Sequence, residues 1–174
     1  MYQTALTTIA LSILPLAPTS GLENRLILVE AQAIHDVKEE RGLNFQSINR
    51  GVRSGHSGRK NYVISDSKDW ESLWNVTTAD PYTKPTLPIV DLVNEMVIAV
   101  YLGEKPTGGY GIEITRVLDI GTYIEVHVEE YFPQPDSIVT TALTHPFHII
   151  KIPKTTKEVK FIHTVPAPSS SEKK

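Results

Sequence analysis

One uninterrupted apolar run, Met96-Val97-Ile98-Ala99-Val100-Tyr101-Leu102, constrains this chain more than any other feature. It is too short to cross a bilayer as a helix, which takes about 20 apolar residues. It has the length of a strand and shows no alternation, so it reads as a central strand buried on both faces. Its surroundings are also short and β-like. Phe45, Ile48 and Val52 sit in a polar strand-like stretch that ends at a turn, Ser54-Gly55-His56-Ser57-Gly58. Asn61-Tyr62-Val63-Ile64 is a short strand. Downstream, Ile112, Ile114 and Val117 alternate only partly with Glu113, Thr115 and Arg116, whereas Ile124, Val126 and Val128 alternate cleanly with Glu125, His127 and Glu129. Gly121-Thr122 between them predicts a hairpin. Phe147 to Ile152 and Val159 to Ile162 supply the last strands. A single firm helix interrupts the series: Asp66 or Ser67 can cap it, and Trp70, Leu73 and Trp74 share one face at i, i+3, i+4. The expectation is a mainly-β fold, an antiparallel β-sandwich or partly open barrel with one short helix near residues 67–75.

The flanks read differently from this core. Residues 1–20 carry no charge, and Ala5 to Ala17 is an apolar run followed by Pro18-Thr19-Ser20. That is the length of a signal-peptide core with small residues where cleavage falls, although no basic residue precedes it. Residues 21–43 read as a linker or appended element, in which Leu26, Val29, Ala33 and Val37 follow a helical stripe while Leu26-Ile27-Leu28-Val29 also suits a strand. Residues 44–165 form the β domain, with a loop at Asp80 to Pro88 set by Pro81, Pro85 and Pro88. Residues 166–174 read as a disordered tail. The chain of 174 residues has no cysteine, which excludes disulfides, thiolate nucleophiles, thiolate metal sites and a lipidated cysteine. Its formal net charge of -3 argues against a nucleic-acid partner. No stretch reads as a stable membrane span, and no cofactor is expected.

The sharpest local feature is the loop Gly103-Glu104-Lys105-Pro106-Thr107-Gly108-Gly109-Tyr110, between two of these strands. The Gly-Gly pair permits positive φ and leaves backbone amides uncovered. Pro106 stiffens the entry and Tyr110 offers an aromatic anchor at the exit. Such a loop suits insertion into a partner's cleft or the cradling of an anion, and equally a tight turn that the fold requires. Lys105, Pro106, Thr107, Gly108, Gly109 and Tyr110 are the candidate partner-binding residues. It lacks the Gly-Lys-Ser/Thr of a phosphate loop. Ser54-Gly55-His56-Ser57-Gly58 fails the G-x-S-x-G pattern, since Arg59 stands at the fifth position, and reads as a hairpin turn. His145 and His148 are three apart, so on a strand their rings diverge and a shared metal is disfavoured. Glu104, Glu129 and Glu130 lie near loops with nothing to fix a catalytic separation. Asn75-Val76-Thr77 is a glycosylation sequon. Trp70 and Trp74 read as core. No catalytic constellation emerges, and the residues favour a binding module over an enzyme.

Several blocks taken in order resemble a known family. They are Arg53-Ser54-Gly55-His56-Ser57-Gly58, Tyr62-Val63-Ile64, Trp70-Glu71-Ser72-Leu73-Trp74, Val90-Asp91-Leu92, Met96 to Gly103, Lys105 to Ile114, and Pro146 to Pro153. The stretch from about Ser47 to Phe161 resembles the C-terminal domain of PrcB-type protease complex subunits. That resemblance implies an exported, extracytoplasmic protein that accompanies a protease as a stabilising or chaperone-like subunit. The single loop Lys105-Pro106-Thr107-Gly108-Gly109-Tyr110 is also similar to the cleft-entering loop of chagasin-like cysteine protease inhibitors, which are immunoglobulin-like sandwiches. This second likeness implies an inhibitor that uses Pro106 to Tyr110 as a wedge. The leading expectation is a non-enzymatic protein-binding module with a protein partner, a protease by resemblance. The inhibitor is the alternative, and a hydrolase or metal protein ranks last.

Overall fold

The computed structural model describes residues 40–79 and 85–165. The leader read at 1–20, most of the linker at 21–43, part of the proline-rich loop and the tail at 166–174 lie outside the described residues. The elements are β1 (Arg41–Gly42), β2 (Gln46–Gly51), β3 (Lys60–Ile64), α1 (Ser67–Thr77), β4 (Glu95–Tyr101), β5 (Gly111–Asp119), β6 (Tyr123–Tyr131), β7 (Phe147–Pro153) and β8 (Glu158–Thr164). They build two four-stranded sheets, ordered β1-β5-β6-β8 and β2-β7-β4-β3, that do not close into a barrel. All pairs are antiparallel except β6 with β8, which run parallel because the chain visits the other sheet through β7 between them.

The apolar run is the hinge of the architecture. In β4, Met96, Ile98 and Val100, with Leu102 just beyond, face the β1-β5-β6-β8 sheet and cluster with its Ile112, Ile114, Val117, Ile124, Val126 and Val128 and with Ile150 and Ile152 of the neighbouring β7. Its alternate residues Val97, Ala99 and Tyr101 face the other way and meet Trp70, Leu73 and Trp74 of α1. The absence of alternation in sequence thus reflects two covers of different kind, a sheet inside and a helix outside. The helix starts where Asp66, in extended conformation, accepts the Asp69 amide at 2.9 Å, so Asp66 rather than Ser67 is the cap. It runs two residues past the expected 75 to Thr77. The indole nitrogens of Trp70 and Trp74 donate to the Pro88 and Pro85 carbonyls at 3.1 and 3.2 Å, which ties the loop after α1 to the helix.

The partial alternation of β5 has a local cause. A bulge between Ile114 and Arg116 leaves Thr115 unpaired, and this extra residue returns Val117 to the inward phase of Ile112 and Ile114. The hairpin turn sits where expected, with Gly121 at φ 84° and the Ile120 amide donating to the Tyr123 carbonyl at 3.0 Å. Residues 41–43, read as the end of a linker, belong to the sheet. Arg41 and Gly42 pair with Asp119 and Leu118, the Leu43 amide donates to Val117, and Leu43 packs on the core.

Trp70 is 2% exposed and seals the outer face of β4 and β7. Trp70→Ala is expected to cost about 3–5 kcal/mol in urea unfolding, whereas Glu71→Ala on the exposed face stays within about 0.5 kcal/mol. A Trp70→Ala loss below about 1 kcal/mol would mean that the helix is not part of the cooperative core.

Candidate functional site

The loop after β4 is fastened to the segment before β7. Lys105 and Thr144 exchange backbone hydrogen bonds at 2.8 and 2.9 Å, and the Gly108 amide donates to Thr140 at 2.9 Å. The Thr144 hydroxyl donates to the Thr107 carbonyl at 2.9 Å. At the root, the Glu104 amide donates to the Ser57 carbonyl at 2.8 Å. Both outer glycines are demanded by geometry. Gly103 has φ 77° against the Ser57–Arg59 backbone, and Gly109 has φ 85° with Pro133 2.8 Å from where a Cβ would stand. Of the candidate residues, Pro106 and Gly109 are exposed, and Lys105, Thr107, Gly108 and Tyr110 are half-buried. Tyr110 does not stand out as an anchor. Its ring meets Phe132 edge-on at 5.8 Å, with the Lys105 ammonium 5.8 Å from its centroid. The loop is therefore one ply of a laced platform, held in shape before any partner arrives.

An apolar rim surrounds that platform. Val52, Phe132, Ile138 and Leu143 are between 45% and 103% exposed. They belong to the same end of the sandwich: the Val52 carbonyl accepts the His145 amide at 2.8 Å, Leu143 precedes the Lys105–Thr144 bridge, Phe132 meets Tyr110, and Val139 beside Ile138 packs near Gly109. Open grooves lie beside Val52 and Arg53. One of about 590 Å³ lies between Arg50, Val52, Tyr110 and Tyr131, and one of about 370 Å³ lies between Arg53, Thr77, Leu143 and His145. Exposed apolar clusters of this kind mark interaction surfaces.

The structure disperses the remaining chemistry-bearing side chains. His145 precedes β7 and faces Glu104 at 3.4 Å, while His148 is inside β7. His127 lies beside Glu125 at 3.3 Å on the outer face of β6. Among the described residues no group of three metal-ligating side chains forms. His148 links three strands: its Nε2 is 2.9 Å from the Ser47 hydroxyl on β2, and its Nδ1 accepts the Ile114 amide of β5 at 2.9 Å. Because Nδ1 is an acceptor, the proton of the neutral ring sits on Nε2 and points at Ser47. The ring therefore has no lone pair to take a proton from that hydroxyl, and the Ser47–His148 contact is no activated nucleophile. Burial, and after it the Arg50 guanidinium, push the His148 pKa down to about 4.

Sequence reasoning missed a buried carboxylate. Glu130, read there with Glu104 and Glu129 as a carboxylate near a loop, continues the inward phase of Ile124, Val126 and Val128 and is only 4% exposed. Arg59 pairs with it, and His163 Nδ1 lies 2.8 Å from its Oε1. The even-numbered register of β6 was the available signal. Ser54 to Gly58 is not the hairpin turn read from the sequence: it joins β2 and β3, which lie at opposite edges of their sheet, and it is an irregular connection against the helix end, with the Gly55 amide donating to Val76 at 3.1 Å.

The PrcB C-terminal family matches residues 96–153, the stretch from β4 to β7 that contains both plies of the platform. This match supports the family resemblance read from the sequence. No curated protein and no solved structure matches the chain.

Two outcomes follow from this geometry. Gly109→Ala is expected to lose about 1–3 kcal/mol in urea unfolding through its backbone strain, and Pro106→Ala at the exposed tip close to none. Equal effects would mean that the lacing is not what shapes the loop. Above about pH 6.5, an unstructured histidine's value, His148 is neutral folded and unfolded, and its bonds count in full. Between there and about 4 only the unfolded chain takes the proton, so stability falls as pH falls, by about 3 kcal/mol in all. His148→Gln, which can still donate to Ser47 and accept from Ile114, is expected to remove that part of the slope. An unchanged slope sinks the assignment.

Proposed function

We propose that this PrcB C-terminal-like domain is a non-enzymatic protein-binding module that accompanies a protease as an exported accessory subunit. One observation carries the reading: a shaped, hydrogen-bonded loop, Lys105 to Tyr110, framed by the exposed apolar side chains of Val52, Phe132, Ile138 and Leu143. The family match supports a protease as the partner's class, since the platform lies within residues 96–153. The uncharged apolar stretch within residues 1–20 supports export to an extracytoplasmic compartment. The orientation of the His148 proton supports a binding rather than a catalytic role for the best serine–histidine contact. The lacing favours an accessory over an inhibitor. A wedge must stand clear of its domain to enter a cleft, whereas here Thr107 and Gly108 are held down against Thr144 and Thr140.

A photo-crosslinking residue placed at Pro106 or Ile138 in the native host is expected to capture one exported protease. With that protease purified, Ile138→Asp combined with Leu143→Asp is expected to weaken binding at least about tenfold, the effect of losing two apolar contacts at an interface. Equal binding by the double variant removes the rim from the interface. Proteolysis that continues in the complex supports the accessory role, and stoichiometric loss of proteolysis replaces it with inhibition.

A further inference from the structure

On the flank of the sandwich formed by β3 and β8, no backbone hydrogen bonds join the two sheets. Side chains join them instead. Glu130 comes from β6, His163 from β8, Asn61 from β3 and Arg59 from the segment just before it. Arg59 and His163 converge on the same oxygen, Oε1, of the buried Glu130 carboxylate. The Arg59 guanidinium is also 3.1 Å from His163 Nδ1, and Asn61 Nδ2 is 2.9 Å from His163 Nε2. The other end of the Asn61 amide, Oδ1, is buried with no hydrogen-bond partner. We propose that Glu130, His163, Asn61 and Arg59 form a proton-operated latch, in which one proton taken up at His163 Nε2 turns the Asn61 amide end for end and replaces Arg59 by His163 as the cation at Glu130.

The proton accounting is closed. With the proton of the neutral ring on Nδ1, that nitrogen donates to Glu130 and the Nε2 lone pair accepts from the Asn61 amide nitrogen, while the Arg59 guanidinium, itself only a donor, lies 3.1 Å from Nδ1 as a neighbouring charge and not as its hydrogen-bond partner. A proton from solvent adds at Nε2, which then needs an acceptor. Asn61 already carries an unused one, and a half-turn of its amide delivers Oδ1 without moving the backbone. In the proposed exchange Glu130 is the anion and takes no proton. Before uptake it has one cation, Arg59. After uptake it would have two at one buried oxygen, which burial penalises. Arg59 is the partner able to leave, because its side chain is 52% exposed, against 22% for His163. Arg59 and Glu130 are the charged groups that touch the ring, from the segment before β3 and from β6. Burial, and after it Arg59, hold the His163 pKa below the ordinary histidine value, which is the reciprocal of protonation expelling Arg59.

The latch sits at the root of the platform. Gly103 lies against the Ser57–Arg59 backbone, and the Glu104 amide donates to Ser57. Release of Arg59 frees the segment that holds that root, so acid loosens the loop while the sheets stay folded.

The test is a titration of the wild-type protein from pH 8 to 4.5 by nitrogen-15 NMR. The expected result is a neutral His163 protonated at Nδ1, Asn61 side-chain amide signals that move with the His163 midpoint, and Arg59 guanidinium and Glu104 amide exchange that quicken at least about tenfold through it. Arg59→Gln is expected to raise the His163 midpoint by about one unit, a tenfold gain in proton affinity, which a purely structural arginine would not do. The proposal is overturned if the neutral ring carries its proton on Nε2, if the Asn61 amide signals stay fixed through the titration, or if the fold is lost before His163 titrates. Should Arg59→Gln fail to fold, the wild-type titration decides alone.

Discussion

Everything in this fold depends on β4 being covered from both sides. A strand with no polar phase cannot lie at a surface, and each of its side chains contributes about 1.5–3 kcal/mol only once its water is removed. The facing sheet, through β5 and β6, removes water from Met96, Ile98 and Val100, and α1 removes it from Val97, Ala99 and Tyr101. The dependence is mutual. An isolated helix of eleven residues is marginal in water, and α1 persists because Trp70, Leu73 and Trp74 have an apolar surface to seal. Even the polar contact across this layer follows the same logic. The Thr77 hydroxyl donates to Leu73 at 2.8 Å and so receives the Tyr101 phenol at 2.6 Å, leaving neither buried hydroxyl unsatisfied.

Elements whose residues report one environment were legible in the sequence. β6 has a single buried face and alternates without error, and α1 shows its stripe and its cap. The mixed signals were those of residues serving two environments at once. β5 lost its alternation to the bulge at Thr115. In β2, Phe45 before it packs on the inter-sheet core while Ile48, unpaired at a register shift, packs on the helix side. The parallel β6–β8 pair was invisible because nothing local distinguishes a strand returning on the same side from a hairpin. For the candidate site, position was legible and state was not. The glycines announced a special loop, but the partners that fix it, Ser57, Thr140 and Thr144, are distant in sequence.

That lacing changes what the glycines mean. A Gly-Gly pair on its own suggests a mobile tip, with ordering entropy to be lost when a partner binds. Here Gly109 adopts its positive φ under Pro133 and Val139, and its neighbours are hydrogen-bonded to the adjoining segment, so the ordering is already done in the folded domain. A preorganised surface binds with less entropic loss than a flexible one. The apolar side chains exposed on its rim are then placed rather than merely uncovered.

The two sheets are joined at their flanks by histidines rather than by backbone. On one side Ser47, His148 and the Ile114 amide cross from sheet to sheet, and on the other Asn61, His163 and Glu130 do so. Each ring is used as donor and acceptor at once, which only the neutral imidazole can do. The flanks differ in what happens next. His148 is sealed, and its acceptor nitrogen faces a backbone amide that cannot turn into an acceptor, so a proton there breaks the crossing. His163 faces an amide side chain that can reverse, and a carboxylate already present to receive the charge. Two crossings of similar composition therefore respond to acid in opposite ways. One fails as the fold fails, and the other rearranges while the apolar side chains packed around β4 hold the sheets together.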